Sequence, residues 1–166
     1  MQINIALLTV TDTRTIDTDK SGAILVKKIK EQNHNLIERK IVKDEKREIK
    51  KILSSWLKKD NLDVIITTGG TGLTGRDITP ETLKEIADKE IPGFGELFRE
   101  ISYKTIGTSA MQSRACAVLA NGKYVFALPG SSGGVTDAWD NILKYQLDIN
   151  HKPCNFVELF PRLKEK

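Results

Sequence analysis

The chain has 166 residues, of which 39% are hydrophobic and 29% are charged, and this length is typical of one domain, residues 1–166, with its own hydrophobic core. No apolar run reaches the roughly 20 residues that cross a bilayer, and the first residues do not resemble an export signal, so we expect a cytoplasmic protein without a membrane partner. The net charge of +4 comes from lysines interleaved with glutamates at helical spacing, without an aromatic-rich basic stripe, so we expect no nucleic-acid partner.

The first half of the chain alternates apolar runs with helical patterns. Nearly continuous apolar runs predict buried strands over residues 3–10 and 62–67, and a further strand is predicted over residues 36–42. Between these strands, apolar residues at helical spacing predict one helix that begins at residue 23 and a second over residues 49–56. The segment that joins the first strand to the first helix is polar through Ser21, so we expect it to be a loop.

The second half of the chain contains three predicted helices. Thr79 is expected to cap the first of them at its N-terminus, with Pro80 at the first helical position. The sequence Ile-Pro-Gly at residues 91–93 is expected to end that helix, and a further helix is predicted over residues 94–103. The last helix is predicted over residues 135–147.

A predicted β-hairpin lies between the last two of these helices. Apolar runs at residues 115–120 and 124–128 are separated by Asn121 and Gly122, which are typical of a tight turn, so the two strands are expected to pair antiparallel. Strands and helices alternate along the rest of the chain. The order predicts an α/β fold with a mainly parallel sheet, one antiparallel strand in it, and helices on both faces.

Folds of this kind bind their ligands beyond the carboxyl ends of the strands. This rule selects the four loops that follow Val10, Val42, Thr67 and Leu128. Polar or glycine-rich clusters occur in these same four loops. We therefore expect a ligand site where the four loops meet.

The loop after the third strand is rich in glycine. It holds four glycines within seven positions, namely Gly69, Gly70, Gly72 and Gly75. Glycine has a conformational cost, but it lets the backbone approach a ligand closely and direct N–H groups at a phosphate. One glycine is enough for a plain turn from strand to helix, so four of them indicate a phosphate-binding loop.

Two nucleotide-binding motifs fit this loop only in part. The spacing of Gly70, Gly72 and Gly75 matches the dinucleotide-binding fingerprint, but the loop follows the third strand, and residues 76–80 separate it from the next helix. The loop also has the glycine spacing of a Walker A motif. There, Arg-Asp replaces the Lys-Ser/Thr pair that the motif requires.

The loop at residues 130–134 has the form G-x-S-x-G of a hydrolase nucleophile elbow, with Ser132 as the nucleophile. An acid and a histidine follow in the right order, Asp148 and His151, but they are too close in sequence to lie on separate loops. The alternative is a second anion-binding turn, in which Ser131 and Ser132 donate hydroxyl hydrogen bonds.

Two aspartates belong to the loops that the fold selects. Asp44 and Asp77 would serve as ordinary turn residues if each stood alone. Carboxylates at a phosphate site repel the ligand unless a cation lies between them, so the pair predicts a magnesium–nucleotide site. Asp12 is a third candidate, and Arg76 is placed to offset charge that develops on the ligand. No zinc site is predicted, because the two cysteines and two histidines are isolated.

Several of these motifs together resemble one known family. Residues 68–72 (Thr-Gly-Gly-Thr-Gly) with residues 76–81 (Arg-Asp-Ile-Thr-Pro-Glu) resemble the signature of the MoaB/MogA family, which also includes the G domain of gephyrin and its plant counterpart. Further matches occur at residues 8–12, 41–45, 92–96, 111–114 and 128–131. The matches cover nearly the whole chain in order, and residues 153–156 resemble the MoaB branch in particular.

The resemblance implies a fold, an assembly and a reaction. The family fold is a three-layer α/β/α sandwich that forms trimers, and members of the MoaB branch also form hexamers. Active members take part in molybdenum cofactor biosynthesis. They bind molybdopterin and transfer AMP from Mg-ATP to its terminal phosphate, with release of pyrophosphate.

The resemblance also implies roles for individual residues. Asp44 and Asp77 match the family's catalytic aspartates, which hold Mg²⁺ through the ATP phosphates. Other positions are expected to bind molybdopterin or the nucleotide: Thr11, Asp12, Gly69, Gly70, Thr71, Gly72, Arg76, Ser113, Pro129, Gly130 and Ser131. The attacking group is the phosphate of the ligand, so no protein nucleophile is required.

The resemblance leaves a second function open. Part of the MoaB branch binds molybdopterin without clear activity, so the chain is either an adenylyltransferase or a pterin-binding scaffold that meets other cofactor biosynthesis proteins. Residue identity does not separate the two, because fold and motif do not by themselves establish turnover. Trimer and hexamer are equally open.

Overall fold

The computed structural model describes residues 1–165. Its strands are β1 (Asn4–Val10), β2 (Asn35–Val42), β3 (Val64–Thr68), β4 (Lys89–Glu90), β5 (Cys116–Ala120) and β6 (Lys123–Leu128). They form one sheet in the order β2-β1-β3-β6-β5-β4. The pairs β1–β2, β1–β3 and β3–β6 are parallel, whereas β5 runs antiparallel to both of its neighbours.

The helices connect these strands. They are α1 (Lys20–Glu31), α2 (Lys46–Leu57), α3 (Thr79–Ile86), α4 (Pro92–Ile106), α5 (Ser132–Ala138) and α6 (Lys144–Gln146). A π-helical segment (Trp139–Leu143) joins α5 to α6. Two 3₁₀ segments follow α4 and α6, at Gly107–Gln112 and Val157–Arg162.

Hydrophobic clusters cover both faces of the sheet. On one face, Ile5 and Leu7 of β1 pack in a cluster with residues of α1, α4 and α5. On the other face, Leu8 of β1 packs in a cluster with residues of α2 and α3. Because strands buried on both faces need apolar residues at successive positions, the unbroken apolar runs of the sequence follow from this layering. The predicted α/β/α sandwich with one antiparallel strand is confirmed.

The start of α1 was wrong in the sequence-based prediction. The helix begins at Lys20 instead of residue 23, because Asp19 caps it: the Asp19 carboxylate accepts a hydrogen bond from the Gly22 backbone N–H at 2.9 Å. Ser21, expected in a loop, lies in the first turn of this helix and is buried.

The predicted cap of α3 was also wrong. Ile78 occupies the N-cap position, and Thr79 is the first residue of the helix. The Thr79 hydroxyl donates instead to the carbonyl oxygen of Gly69 at 3.0 Å, so it ties the helix to the glycine-rich loop. Between α3 and α4 the structure adds β4, whose two residues are exposed and polar and therefore give no apolar signal.

Candidate functional site

The loops after β1, β2, β3 and β6 meet at one edge of the sheet and line a cavity of about 620 Å³. Most of the predicted site residues border this cavity, as the geometry of parallel strands requires. They are Thr11, Asp44, Gly69, Gly70, Thr71, Gly72, Asp77, Ser113, Pro129, Gly130 and Ser131. Asp12 and Arg76 lie outside this set, on the exposed surface.

Gly69 and Gly70 form a turn that only glycine fits well. Their φ angles are +100° and +68°, in the left-handed region that side chains rarely adopt. A Cβ at Gly69 would overlap the carbonyl oxygen of Val10, and a Cβ at Gly70 would overlap the Thr79 hydroxyl. The third strand therefore turns closely against the end of the first, and its backbone lines the cavity.

The other two glycines of the loop differ from each other. A Cβ at Gly72 would lie 2.8 Å from a carboxylate oxygen of Asp77, so Gly72 leaves room for that side chain. A Cβ at Gly75 would have no neighbour within 4 Å, and the φ of Gly75 is not positive. The packing of the protein itself therefore requires glycine at three of the four positions and not at Gly75, and phosphate binding by this loop stays a prediction.

Asp44 lies on one side of the glycine turn and is half-buried. A Cβ at Gly70 would lie 3.0 Å from the Asp44 Oδ1 atom, so the carboxylate is close to the turn. Its backbone N–H donates to the Asp12 carboxylate at 3.1 Å. Burial and the nearby carboxylates of Asp12 and Asp77 raise the pKa of Asp44 above its ordinary value. The site therefore carries an excess of negative charge.

Asp77 lies beside Gly72, and its carboxylate is held by hydrogen bonds. The Thr74 backbone N–H and hydroxyl donate to Oδ2 of Asp77 at 2.9 Å and 2.6 Å. Burial alone would raise the pKa of Asp77, but these hydrogen bonds, one from the Gly72 backbone and the charge of Arg114 outweigh it, and they lower the pKa. Asp77 therefore stays ionised at neutral pH, with a carboxylate of fixed orientation.

Arg76 pairs with Asp12 across the exposed rim of the site. Its Nε and Nη2 atoms donate to the two carboxylate oxygens of Asp12 at 3.1 Å and 3.0 Å. This bidentate pair joins the loop after β1 to the loop after β3. In this structure Arg76 thus neutralises Asp12 and lies outside the cavity lining, so its predicted role toward a ligand stays a prediction.

The loop after β6 packs directly on the glycine turn. The Thr68 hydroxyl donates to the Pro129 carbonyl oxygen at 2.7 Å, and the Gly69 backbone N–H donates to the Leu128 carbonyl oxygen at 3.0 Å. The Ser131 hydroxyl accepts from the Gly134 N–H at 3.1 Å and caps α5. Ser131 thus caps the helix that begins beside the cavity.

Sequence reasoning missed the wall that α4 contributes. Phe98, Ser102, Thr105 and Ile106 border the cavity opposite the loops. They recur at helical spacing on one side of α4, which is the available signal. This spacing identifies one face of a helix. It does not show what that face borders, because the sequence does not reveal which side of the sheet α4 covers.

The hydrolase alternative finds no support in the geometry. Ser132 borders the cleft at the strand ends. The His151 ring packs on Tyr145 with ring centres 5.3 Å apart, and Asp148 accepts a hydrogen bond from the Asn150 N–H. The only hydrogen bond found among the three residues within residues 1–165 is a main-chain one, from the His151 N–H to the Asp148 carbonyl oxygen at 3.1 Å, and it does not form a triad.

Metal ligands at the site are limited to carboxylates. Over residues 1–165, no three or more His, Cys, Asp or Glu side chains are grouped so that they could hold a metal ion by themselves. A cation at Asp44 and Asp77 would therefore need oxygen ligands from a bound phosphate, which is how Mg²⁺ usually binds with nucleotides. Within the same residues, no helix is long and apolar enough to span a membrane.

Known proteins resemble the chain over nearly its full length. Residues 6–149 match the family model described as "Probable molybdopterin binding domain". The chain is 44% identical over 161 residues to molybdenum cofactor biosynthesis protein B of Escherichia coli (strain K12), and the match covers 97% of this chain and 93% of that protein.

Solved structures of similar proteins have the same fold. A crystal structure of molybdenum cofactor biosynthesis protein B superposes with a TM-score of 0.89 at 40% identity, covering 100% of this chain and 98% of that chain. The tungsten cofactor synthesizing protein MoaB from Pyrococcus furiosus superposes with a TM-score of 0.77 at 35% identity, covering 86% and 91%.

Proposed function

We infer the reaction from one premise: this chain belongs to the MoaB/MogA family of molybdopterin-binding domains and acts in molybdenum cofactor biosynthesis. We propose that its cavity binds molybdopterin together with Mg-ATP and catalyses adenylyl transfer. An oxygen of the molybdopterin phosphate attacks the α-phosphorus of ATP. The bond from that phosphorus to the bridging oxygen breaks, and pyrophosphate leaves with the bond's electron pair.

One observation carries this proposal: the Asp44 and Asp77 carboxylates lie beside Gly70 and Gly72 of the same glycine-rich loop, and both residues border the same cavity. Because their carboxylates raise the local negative charge, a polyphosphate binds there only with a cation between them. Asp44 and Asp77 would hold the Mg²⁺ that accompanies ATP, and the metal would offset the charge of the phosphates there. The protein then contributes positioning and charge stabilisation.

The remaining lining suits the pterin and its phosphate. Thr11, Ser113 and Ser131 supply hydroxyl groups around the cavity, while Ile106, which is 53% exposed, supplies an apolar surface on which a flat ring can rest. A site with a few placed polar groups on an apolar wall orients a small ligand. We propose that this part of the cavity orients molybdopterin with its phosphate toward the two aspartates.

The test measures pyrophosphate release after the protein is mixed with molybdopterin and Mg-ATP. We expect release that requires both the pterin and Mg²⁺ and falls by at least about 100-fold in Asp77→Ala, because the charge of the polyphosphate loses a partner. The exposed Asp60→Ala is the matched control and should release pyrophosphate at the normal rate. Tight molybdopterin binding without any release would contradict the reaction and support the scaffold function instead.

The assembly and its surroundings are also proposals. We propose a trimer or hexamer that works in the cytoplasm and hands its product to other proteins of cofactor biosynthesis. Light scattering in solution should give about 56 kDa or about 112 kDa, three or six times the chain mass of 18.6 kDa. A single species of the mass of one chain would contradict this assembly.

A further inference from the structure

Arg114 connects the two ends of the loop that carries Asp77. Its Nε donates to the carbonyl oxygen of Gly72 at 2.7 Å, and its Nη2 donates to the carbonyl oxygen of Asp77 at 2.7 Å. The third nitrogen, Nη1, pairs with the carboxylate of Glu81 in the first turn of α3. One guanidinium thus holds both stems of the loop and the helix that follows it.

The loop has little other support. Residues 73–76 are all exposed, and Leu73 keeps 67% of its surface open to solvent. The hydrogen bonds within the loop join Thr74 to Asp77, so they shape it without attaching it to the rest of the protein. At its rim, the Arg76–Asp12 pair is exposed to solvent, and such pairs contribute little. The two hydrogen bonds from Arg114 to carbonyl oxygens are half-buried, and they therefore hold the loop more strongly than the exposed ion pair does.

Arg114 also follows Ser113, which borders the cavity. The Arg114 backbone N–H donates to the Thr71 carbonyl oxygen at 3.0 Å, so the 3₁₀ segment before β5 is joined to the glycine-rich loop by main chain as well. A shift of the Arg114 side chain relative to the loop would move Asp77 with respect to Ser113.

We propose that Arg114 is a positioning residue of the proposed adenylyl transfer. It fixes the Asp77 carboxylate at the distance from Asp44 and from the pterin side of the cavity that the reaction requires. This role rests on the proposed function, and it acts through Asp77 instead of through contact with a ligand. The charge of Arg114 adds to it, because this charge helps to keep Asp77 ionised.

Lysine does not replace arginine in such a role. A planar guanidinium donates in several fixed directions at once, whereas an ammonium group at the end of a flexible chain holds one of these partners well. We therefore expect Arg114→Lys to keep the fold and lose the simultaneous hold on both loop stems. Glu81→Gln is the matched control, because it removes only the ion pair and leaves both carbonyl contacts in place.

The kinetic experiment compares kcat, KM for Mg-ATP and molybdopterin affinity in the wild type and the two variants. For Arg114→Lys we expect kcat to fall on the order of 10- to 100-fold, as displaced catalytic groups do, with molybdopterin affinity changed by less than about threefold. Glu81→Gln should keep kcat within about threefold of the wild type. Equal kcat in the wild type and Arg114→Lys, or a loss confined to molybdopterin affinity, would overturn the proposal.

A second readout does not depend on the reaction. Hydrogen exchange at the backbone amides of Thr74 and Asp77 reports whether the loop is held, even if the wild type shows no turnover. Both amides should exchange at least about tenfold faster in Arg114→Lys and at the wild-type rate in Glu81→Gln, with the amides of β1 unchanged in both. Unchanged exchange at Thr74 and Asp77 in Arg114→Lys would overturn the positioning role, whereas absent turnover with faster exchange would overturn only the reaction.

Chemical rescue separates positioning from a general loss of stability. Arg114 borders a second cavity of about 510 Å³, on the side of α3 and α4, and its side chain is 30% exposed. A free guanidinium ion can reach that space in Arg114→Ala. Added at a concentration far below a denaturing one, it should restore part of kcat in Arg114→Ala and none in Asp77→Ala. Equal responses in the two variants would contradict the assignment.

Discussion

Gly69 is the residue at which the site depends most directly on backbone geometry. Its positive φ and its contact with Val10 leave no room for a side chain. The turn matters because it brings the ends of β1 and β3 together and exposes backbone to the cavity that Asp44 and Asp77 also border.

Replacing Gly69 by alanine should be costly, whereas replacing Gly75 should not. Gly69→Ala combines a strained φ with an overlap against the Val10 carbonyl oxygen, so we expect a loss of at least about 2 kcal/mol in the free energy of unfolding. Gly75→Ala meets open space and should stay within about 0.5 kcal/mol of the wild type or stabilise slightly. Urea denaturation measures both. Similar losses in the two variants would contradict the geometry described for the turn.

Asp44 illustrates a conflict between stability and function. Because its folded-state pKa is raised, ionisation of Asp44 destabilises the folded protein as the pH rises from acid to neutral. Asp44→Asn should therefore raise the free energy of unfolding at pH 7, while it slows turnover by at least about 100-fold.

The pH dependence provides the check on this prediction. The extra stability of Asp44→Asn should disappear at pH values below the ordinary pKa of a carboxyl group. There, Asp44 of the wild type is protonated in both the folded and the unfolded chain. Thermal unfolding of Asp44→Asn and of the wild type, measured from acid to neutral pH, gives the difference in their stability at each pH. A variant that is less stable than the wild type at neutral pH would show that the Asp44 carboxylate is stabilised by its surroundings instead.

At the residue scale the sequence predicted most of the cavity lining but not the local contacts. Asp44 and Asp77 could be found because parallel strands place their following loops at one edge. The pairing of Arg76 with Asp12 could not, since it depends on the distance between two loops far apart in sequence. Arg114 was missed for the same reason, as its partners are backbone carbonyl groups that carry no sequence signal.

At the scale of elements, α1 is fixed by a buried polar network behind the site. The Asp19 carboxylate accepts from the Thr9 hydroxyl at 2.6 Å and from the Arg39 guanidinium at 2.9 Å. Its side chain is only 2% exposed. Asp19 thus joins α1 to β1 and β2, next to the strand ends that carry the site.

Breaking this network should destabilise the protein strongly. Asp19→Ala leaves Arg39 without its buried partner and α1 without its cap, so we expect a loss of about 3 kcal/mol in the free energy of unfolding at pH 7. The exposed Asp17→Ala, in the same loop, should change it by less than about 0.5 kcal/mol.

Acid should reduce the difference in the free energy of unfolding between the wild type and Asp19→Ala. Burial alone would raise the pKa of Asp19, but hydrogen bonds from Thr9, Gly22 and Arg39 outweigh it and lower the pKa. The stability from this carboxylate is therefore present above the ordinary carboxyl pKa and is lost as the pH falls through the lowered one. Chemical denaturation at neutral and acid pH measures the free energy of unfolding of both proteins. A difference between them that is larger at acid pH would contradict this role of Asp19.

Elements with a periodic apolar pattern were predicted well from the sequence, and their ends were not. The central strands β1, β3 and β6 could be identified because both of their faces are buried, whereas the edge strand β2 is partly exposed. The start of α1 was missed because Asp19 and Ser21 are polar, and only the fold buries them. The two exposed residues of β4 form a strand through pairing with β5 alone.

At the scale of the whole molecule, the strand order determines where the site lies. The chain runs from β1 outward to β2 on one side and then to β3 on the other side of β1. The loops after β1 and β3 therefore diverge at this point, and a crevice opens there, as in other open α/β sheets. The Gly69–Gly70 turn and Asp44 lie at this crevice. The sequence predicted the edge of the sheet, but strand order is a tertiary property.

The most direct test of the central claim is a double-mutant cycle on pyrophosphate release by wild type, Asp44→Asn, Asp77→Asn and the double variant. If the two carboxylates act as one unit on a shared polyphosphate, each single variant should lose at least about 100-fold, and the double variant should be no more than about threefold slower than the slower single one. Losses that multiply in the double variant, or one single variant with full activity, would contradict a joint role.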